Sequence, residues 1–154
     1  LDDSAGQITA EGALTGTPSY MPPERVLGGA ADERSDLYSL GCVAYWMLTG
    51  RPVFSGEPMA VMIHHARTPP VPPSKVAGQV FPSGLEEIVL ACLDKSPEKR
   101  PASAVELWRR LGEIALTTPW SVERAELWWR EHLPQFARSL RADSSGEIKL
   151  PPSP

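Results

Sequence analysis

The chain has 154 residues, 42% apolar and 22% charged, with five tryptophans and two cysteines. These proportions suit one ordinary globular domain and exclude a disordered acidic tail or a disulfide scaffold. Its 15 basic and 19 acidic residues sum to −4, and the basic ones are scattered, so there is no electrostatic footprint for nucleic acid or an anionic membrane surface.

Residues 1–17 are mostly Gly, Ser, Thr, Asp and Ala around Leu1, Ile8 and Leu14; no period survives, and the segment reads as a loop. Leu1 opens the chain where a methionine would stand, so the numbering is expected to start inside a longer product. A short helical turn is predicted at Pro22, Pro23 and Glu24, ending by Gly28 and Gly29. Ser35 and Asp36 then open a helix that closes at Thr49 and Gly50, with Asp36 as the expected N-cap. Its interior, residues 37–48, is apolar on nearly every face, which predicts a central helix covered on all sides. The longest apolar run, within that interior, is about half of the roughly 20 residues needed to cross a bilayer, so no membrane segment is expected.

Residues 58–67 predict a short amphipathic helix with Met59, Met62 and Ile63 on its apolar face. The adjacent His64 and His65 face about 100° apart, cannot share a metal, and read as surface histidines. The run from Thr68 to Ser74 holds four prolines, cannot be helical, and reads as a stiff connector. Ser83 is the expected cap of a helix with Leu85, Ile88, Val89, Cys92 and Leu93 in register, broken at Asp94-Lys95-Ser96-Pro97. Ser103 and Glu106 form a capping box ahead of Ala104, Leu107, Trp108 and Leu111, in a helix ending near Ile114 or Leu116. Ser121 caps a last helix, up to Pro134, bearing Ala125, Trp128, Trp129, His132 and Leu133. Two adjacent tryptophans are costly to leave in water, so this helix is expected to dock on the body of the domain. Cys42 and Cys92 lie in apolar helices and read as small buried hydrophobes, with neither disulfide nor metal expected.

Three motifs carry chemistry. Gly16-Thr17-Pro18-Ser19-Tyr20-Met21-Pro22-Pro23-Glu24 ends the Thr-rich loop, Ser35-Asp36-Leu37-Tyr38-Ser39-Leu40-Gly41 heads the central helix, and Asp94-Lys95-Ser96-Pro97-Glu98-Lys99-Arg100-Pro101 links two later helices. In this order and spacing they resemble the C-terminal lobe of eukaryotic-like, bacterial-type serine/threonine protein kinases from the activation loop onward, over roughly residues 12–111. Pro22 departs from the family's Ala-Pro-Glu, a change compatible with the start of a helical turn. The sequence holds no glycine-rich phosphate loop, no Val-Ala-Ile-Lys strand, no His-Arg-Asp loop and no Asp-Phe-Gly. The resemblance implies a mainly α fold: the helical C-terminal lobe of the protein-kinase-like fold, truncated, with an extra C-terminal helix. It divides the chain into a partial kinase domain at 1–116, a docking helix at 117–137 and a flexible tail or linker at 138–154.

What the family implies for individual residues follows the motifs. Glu24 and Arg100 match a buried carboxylate–guanidinium bridge that pins the substrate-binding loop to the helical subdomain. Asp36 matches an aspartate whose carboxylate anchors the catalytic loop to the central helix; with that loop missing, it is expected to face solvent. Thr17 and Tyr20 match substrate-positioning residues. Thr15 is the favoured activation-loop phosphosite, followed by Thr9 and then Ser4. No catalytic residue and no metal ligand is expected in this chain, which by itself would bind neither ATP nor Mg2+. The parent would use both to phosphorylate protein substrates, in the cytoplasm. The alternative is a non-catalytic protein-binding module derived from a kinase C-lobe.

Overall fold

The computed structural model describes residues 17–116 and 119–133. Thr9, Thr15, Ser4 and the proposed tail lie outside them. The backbone falls into two compact units, residues 1–115 and 116–154, and all regular structure among the described residues is helical.

In the first unit a 3-10 turn, Pro18–Tyr20, precedes α1 (Pro23–Val26) and α2 (Glu33–Thr49). Helix α2 begins earlier than the sequence predicts. Asp32, in extended conformation, is the N-cap: its carboxylate accepts from the Arg34 amide at 2.9 Å while Ser35 Oγ accepts from the Asp32 amide at 3.2 Å. Asp36 is therefore not the cap. It sits in the first turn, exposed, as expected for its carboxylate.

One face of α2 builds the core: Tyr38, Cys42 and Tyr45 pack with Val53, Val89 and Leu93. A second cluster joins Leu37, Cys92 and Leu107. Both cysteines are free and buried, as their apolar settings predict. Gly41 is where α5 (Leu85–Cys92) comes closest, since a Cβ there would lie 2.8 Å from that of Cys92. The opposite face of α2 is largely exposed. Leu40, Val43, Trp46 and Met47 are 49%, 40%, 51% and 73% exposed, so an apolar surround in sequence is here a core on one side and an open apolar stripe on the other.

Helix α3 (Pro58–Arg67) forms where predicted but is turned. Val61, Met62 and His65 face inward, whereas Met59 and Ile63 are exposed, and His65 is completely buried. The proline connector holds a helix that the sequence argument excluded, α4 (Pro73–Ala77), because Pro73 takes the first helical position, where a missing N–H costs nothing. Helix α5 is capped by Gly84 with φ 84°, not by Ser83. Arg100 follows a second 3-10 turn, Pro97–Lys99. Helix α6 (Ala104–Gly112) has Ser103 Oγ accepting from the Glu106 amide at 3.2 Å, but Glu106 accepts from Ala102 rather than closing the box. Leu107 is buried and Trp108 is 76% exposed, so Trp108 is not a core residue.

The second unit contains α7 (Val122–His132), with Ser121 as its cap. Trp128 lies edge-on to Trp129 at 5.3 Å and stacks on His132 at 4.7 Å. Among the described residues no helix is long and apolar enough to cross a membrane.

Candidate functional site

The segment from Thr17 to Glu24 is irregular apart from its short turns, so its shape must come from what holds it. The 3-10 turn closes on Thr17, whose carbonyl accepts from the Tyr20 amide at 3.0 Å. Ser39 Oγ, from α2, donates to the Tyr20 carbonyl at 2.9 Å and fastens the turn to the central helix. Thr17 is exposed and Tyr20 half-buried, which leaves the Thr17 side chain accessible.

At the other end the fastening is ionic. Arg100 Nη1 and Nη2 donate to the two carboxylate oxygens of Glu24 at 2.9 and 2.7 Å, across 76 residues of chain. Ser35 Oγ adds a bond to Oε1 at 2.6 Å. The remaining guanidinium donors reach the carbonyls of Asp94 and Arg34, both at 2.9 Å, and of Lys95 at 3.4 Å, and the guanidinium lies over the Tyr38 ring at 4.9 Å. The Arg100 side chain is 0% exposed and that of Glu24 12%. A buried arginine is tolerable only when every donor is used, and the planar fork suits such a pairing as a lysine would not. Burial pushes the Glu24 carboxyl up, but hydrogen bonds from Arg100 and Ser35 outweigh it and hold the group below the ordinary carboxylate value. Glu24 and Arg100 are thus paired, Arg100 fully buried and Glu24 nearly so.

His65 is the residue the sequence argument misread. Its ring is edge-on to Tyr38 and Phe54, and Nδ1 lies 2.8 Å from Tyr38 Oη. Lys95 Nζ in turn lies 3.3 Å from the same hydroxyl and over the Phe54 ring at 5.0 Å. Burial, and secondarily the Lys95 charge, push the imidazole down to about 4; burial likewise pushes Lys95 down to about 8. The available signal was spacing, because His65 shares a helical face with Val61 and Met62.

That depression predicts an acid limb. An unfolded histidine takes a proton near 6.5 and the folded one only near 4. Between those values the unfolded state holds more protons, so stability rises with pH there and is lost as pH falls through that window. Urea melts at successive pH values should show the slope, and His65→Gln should flatten it. An unchanged slope in the variant would place the titrating group elsewhere.

The protein kinase domain family model matches residues 4–110. The chain belongs to the protein kinase family. It is 44% identical over 108 residues to the serine/threonine-protein kinase PknB of Mycolicibacterium smegmatis, covering 70% of this chain and 17% of that protein. The PknB of Mycobacterium tuberculosis is 42% identical over the same shares. Pkn1 of Myxococcus xanthus, also a serine/threonine-protein kinase, is 44% identical over 117 residues, 75% of this chain and 17% of its own length. The chain thus spans about a sixth of the length of these relatives.

Proposed function

We propose that this chain is the acceptor-binding, C-terminal part of a kinase that moves the γ-phosphoryl group of ATP to serine or threonine hydroxyls of protein substrates in the cytoplasm. The observation that carries this reading is the buried Glu24–Arg100 pair, next to a Thr17–Tyr20 turn that Ser39 bonds to the central helix, in a chain of this family. The bare apolar stripe of α2 supports it as well, since Leu40, Val43, Trp46 and Met47 would be covered by the remainder of a larger domain. In this reading Thr17 and Tyr20 position the acceptor, Asp36 anchors the parent's catalytic loop, and Thr15, then Thr9, carry an activating phosphate.

The motifs that cradle ATP phosphates and Mg2+ are not in this sequence, and among the described residues no three His, Cys, Asp or Glu side chains converge. On this reading phosphoryl transfer belongs to the parent's other half. Incubated with labelled ATP, magnesium and a generic protein acceptor, the chain alone should incorporate nothing above a buffer control. A longer product bearing Val-Ala-Ile-Lys-like and His-Arg-Asp-like motifs should be active. Incorporation by the chain alone would overturn the division of labour, and a reading frame lacking those motifs would favour a non-catalytic binding module.

A further inference from the structure

Of the buried polar groups, one has no assigned purpose. His65 is 0% exposed, and among the described residues its Nε2 has no hydrogen-bond partner. An orphaned polar atom in a core costs stability and calls for an explanation. Its neighbours fix which way the ring is protonated. A lysine ammonium only donates, so Lys95 donates to Tyr38 Oη at 3.3 Å. The Tyr38 hydroxyl is left with one proton, and His65 Nδ1, at 2.8 Å, is its acceptor. The neutral ring must then carry its own proton on Nε2. The polar group that favours a proton on this ring is the backbone of Ser19, in the middle of the Pro18–Tyr20 turn, and α3 packs against that turn. Hydrogen bonds that work in a complex are often long or misaligned in the free protein.

We propose that His65 is a positioning residue for acceptor binding: the Lys95–Tyr38–His65 relay presents an Nε2–H donor to the Ser19 carbonyl, and that bond sets the turn when a protein acceptor lies on it. This rests on the reading of Thr17 and Tyr20 as acceptor-facing. The relay supplies from beneath what Ser39 supplies at Tyr20 from the side, one bond on each of two successive carbonyls. Neither His65 nor Lys95 touches the acceptor.

Two measurements test it. In this chain labelled with 15N-histidine, His65 should be neutral and protonated at Nε2 between about pH 6 and 8, and Tyr38→Phe should release the second tautomer. A ring protonated at Nδ1 overturns the relay. In the complete kinase, His65→Asn, which keeps an Nδ1-like group and loses the Nε2 donor, should raise KM for an acceptor peptide about tenfold, the scale of one buried hydrogen bond. KM for ATP should not move, and His65→Gln, whose amide nitrogen reaches the Nε2 position, should recover most of the loss. Equal KM in the Asn and Gln variants would reduce His65 to a space-filler and overturn the inference. Tyr20→Ala separates the two levels. If it raises peptide KM and His65→Asn does not, the inference falls and the acceptor-binding reading stands; if neither raises it, both fall.

Discussion

Arg100→Ala should lower the stability of the chain by about 3–5 kcal/mol, the cost of breaking a buried ion pair from one side. The side chain removed is 0% exposed and its partner Glu24 only 12%, so the carboxylate would be stranded in a site built around a cation. The carbonyls of Asp94 and Arg34 would lose their donors in the same stroke. A loss of that size is a large share of the roughly 5–15 kcal/mol that keeps ordinary domains folded. Arg109→Ala is the control. It too removes an arginine paired with a glutamate, but Arg109 and Glu113 are 59% and 62% exposed, and such helix-surface pairs contribute about 0.3–0.5 kcal/mol. Arg100→Lys should fall between, since it keeps the charge and loses the fork. Urea melts compare the three, and equal midpoints for the two alanine variants would mean that the clamp does not bear on the fold.

Why the clamp was legible and the rest of its surroundings less so is a matter of range. Glu24 and Arg100 each sit in a motif whose neighbours are informative, Pro23 on one side and Pro101 on the other, so a pairing across 76 residues could be inferred from resemblance alone. Periodicity was informative for α5 and α7, where apolar residues recur at one spacing and a serine or turn precedes them. It failed on α2, because an apolar residue on every face predicts burial on every face. Tyr38, Cys42 and Tyr45 are buried in a core cluster, whereas Leu40, Val43 and Met47 are exposed. The helix start was misplaced for a different reason. Asp32, Ser35 and Asp36 are all good caps, and only the backbone geometry at Asp32 selects among them.

His65 shows the deeper limit. A pair of adjacent histidines on a helix of modest amphipathicity has surface exposure as its ordinary expectation, and nothing local contradicts it. The ring is buried because Tyr38, from α2, arrives to satisfy Nδ1 and Lys95, from the segment after α5, donates in turn to the Tyr38 hydroxyl, and these two residues are 27 and 30 positions away in opposite directions. Burial of a polar side chain is decided by such distant partners, which helical periodicity cannot register.

In the complete kinase Thr17→Ala should cut turnover on the order of 10²-fold while leaving the melting temperature in place, a scale typical of a misplaced reacting group. The structure separates the two outcomes. Thr17 contributes its backbone carbonyl to the 3-10 turn, through the 3.0 Å bond from Tyr20, and makes no side-chain cap bond. Thr17 is exposed, so the variant takes no cap bond from the turn, and a fall in turnover would report the proposed acceptor-facing role. Thr15→Ala should behave differently. A phosphate there would act by ordering the loop, changing how many molecules are active rather than what each active one does. Activity should therefore fall only in part, and Thr15→Glu should restore some of it, although one carboxylate is a poor copy of a dianion. Thr17→Asp should restore nothing, because a charge cannot replace a hydroxyl whose task is alignment. Kinetics with a peptide acceptor, alongside mass spectrometry of the active enzyme, decide the matter. Full activity in Thr17→Ala together with an unmodified Thr15 would remove both assignments and leave the Glu24–Arg100 clamp as the only part of the motif still tied to function.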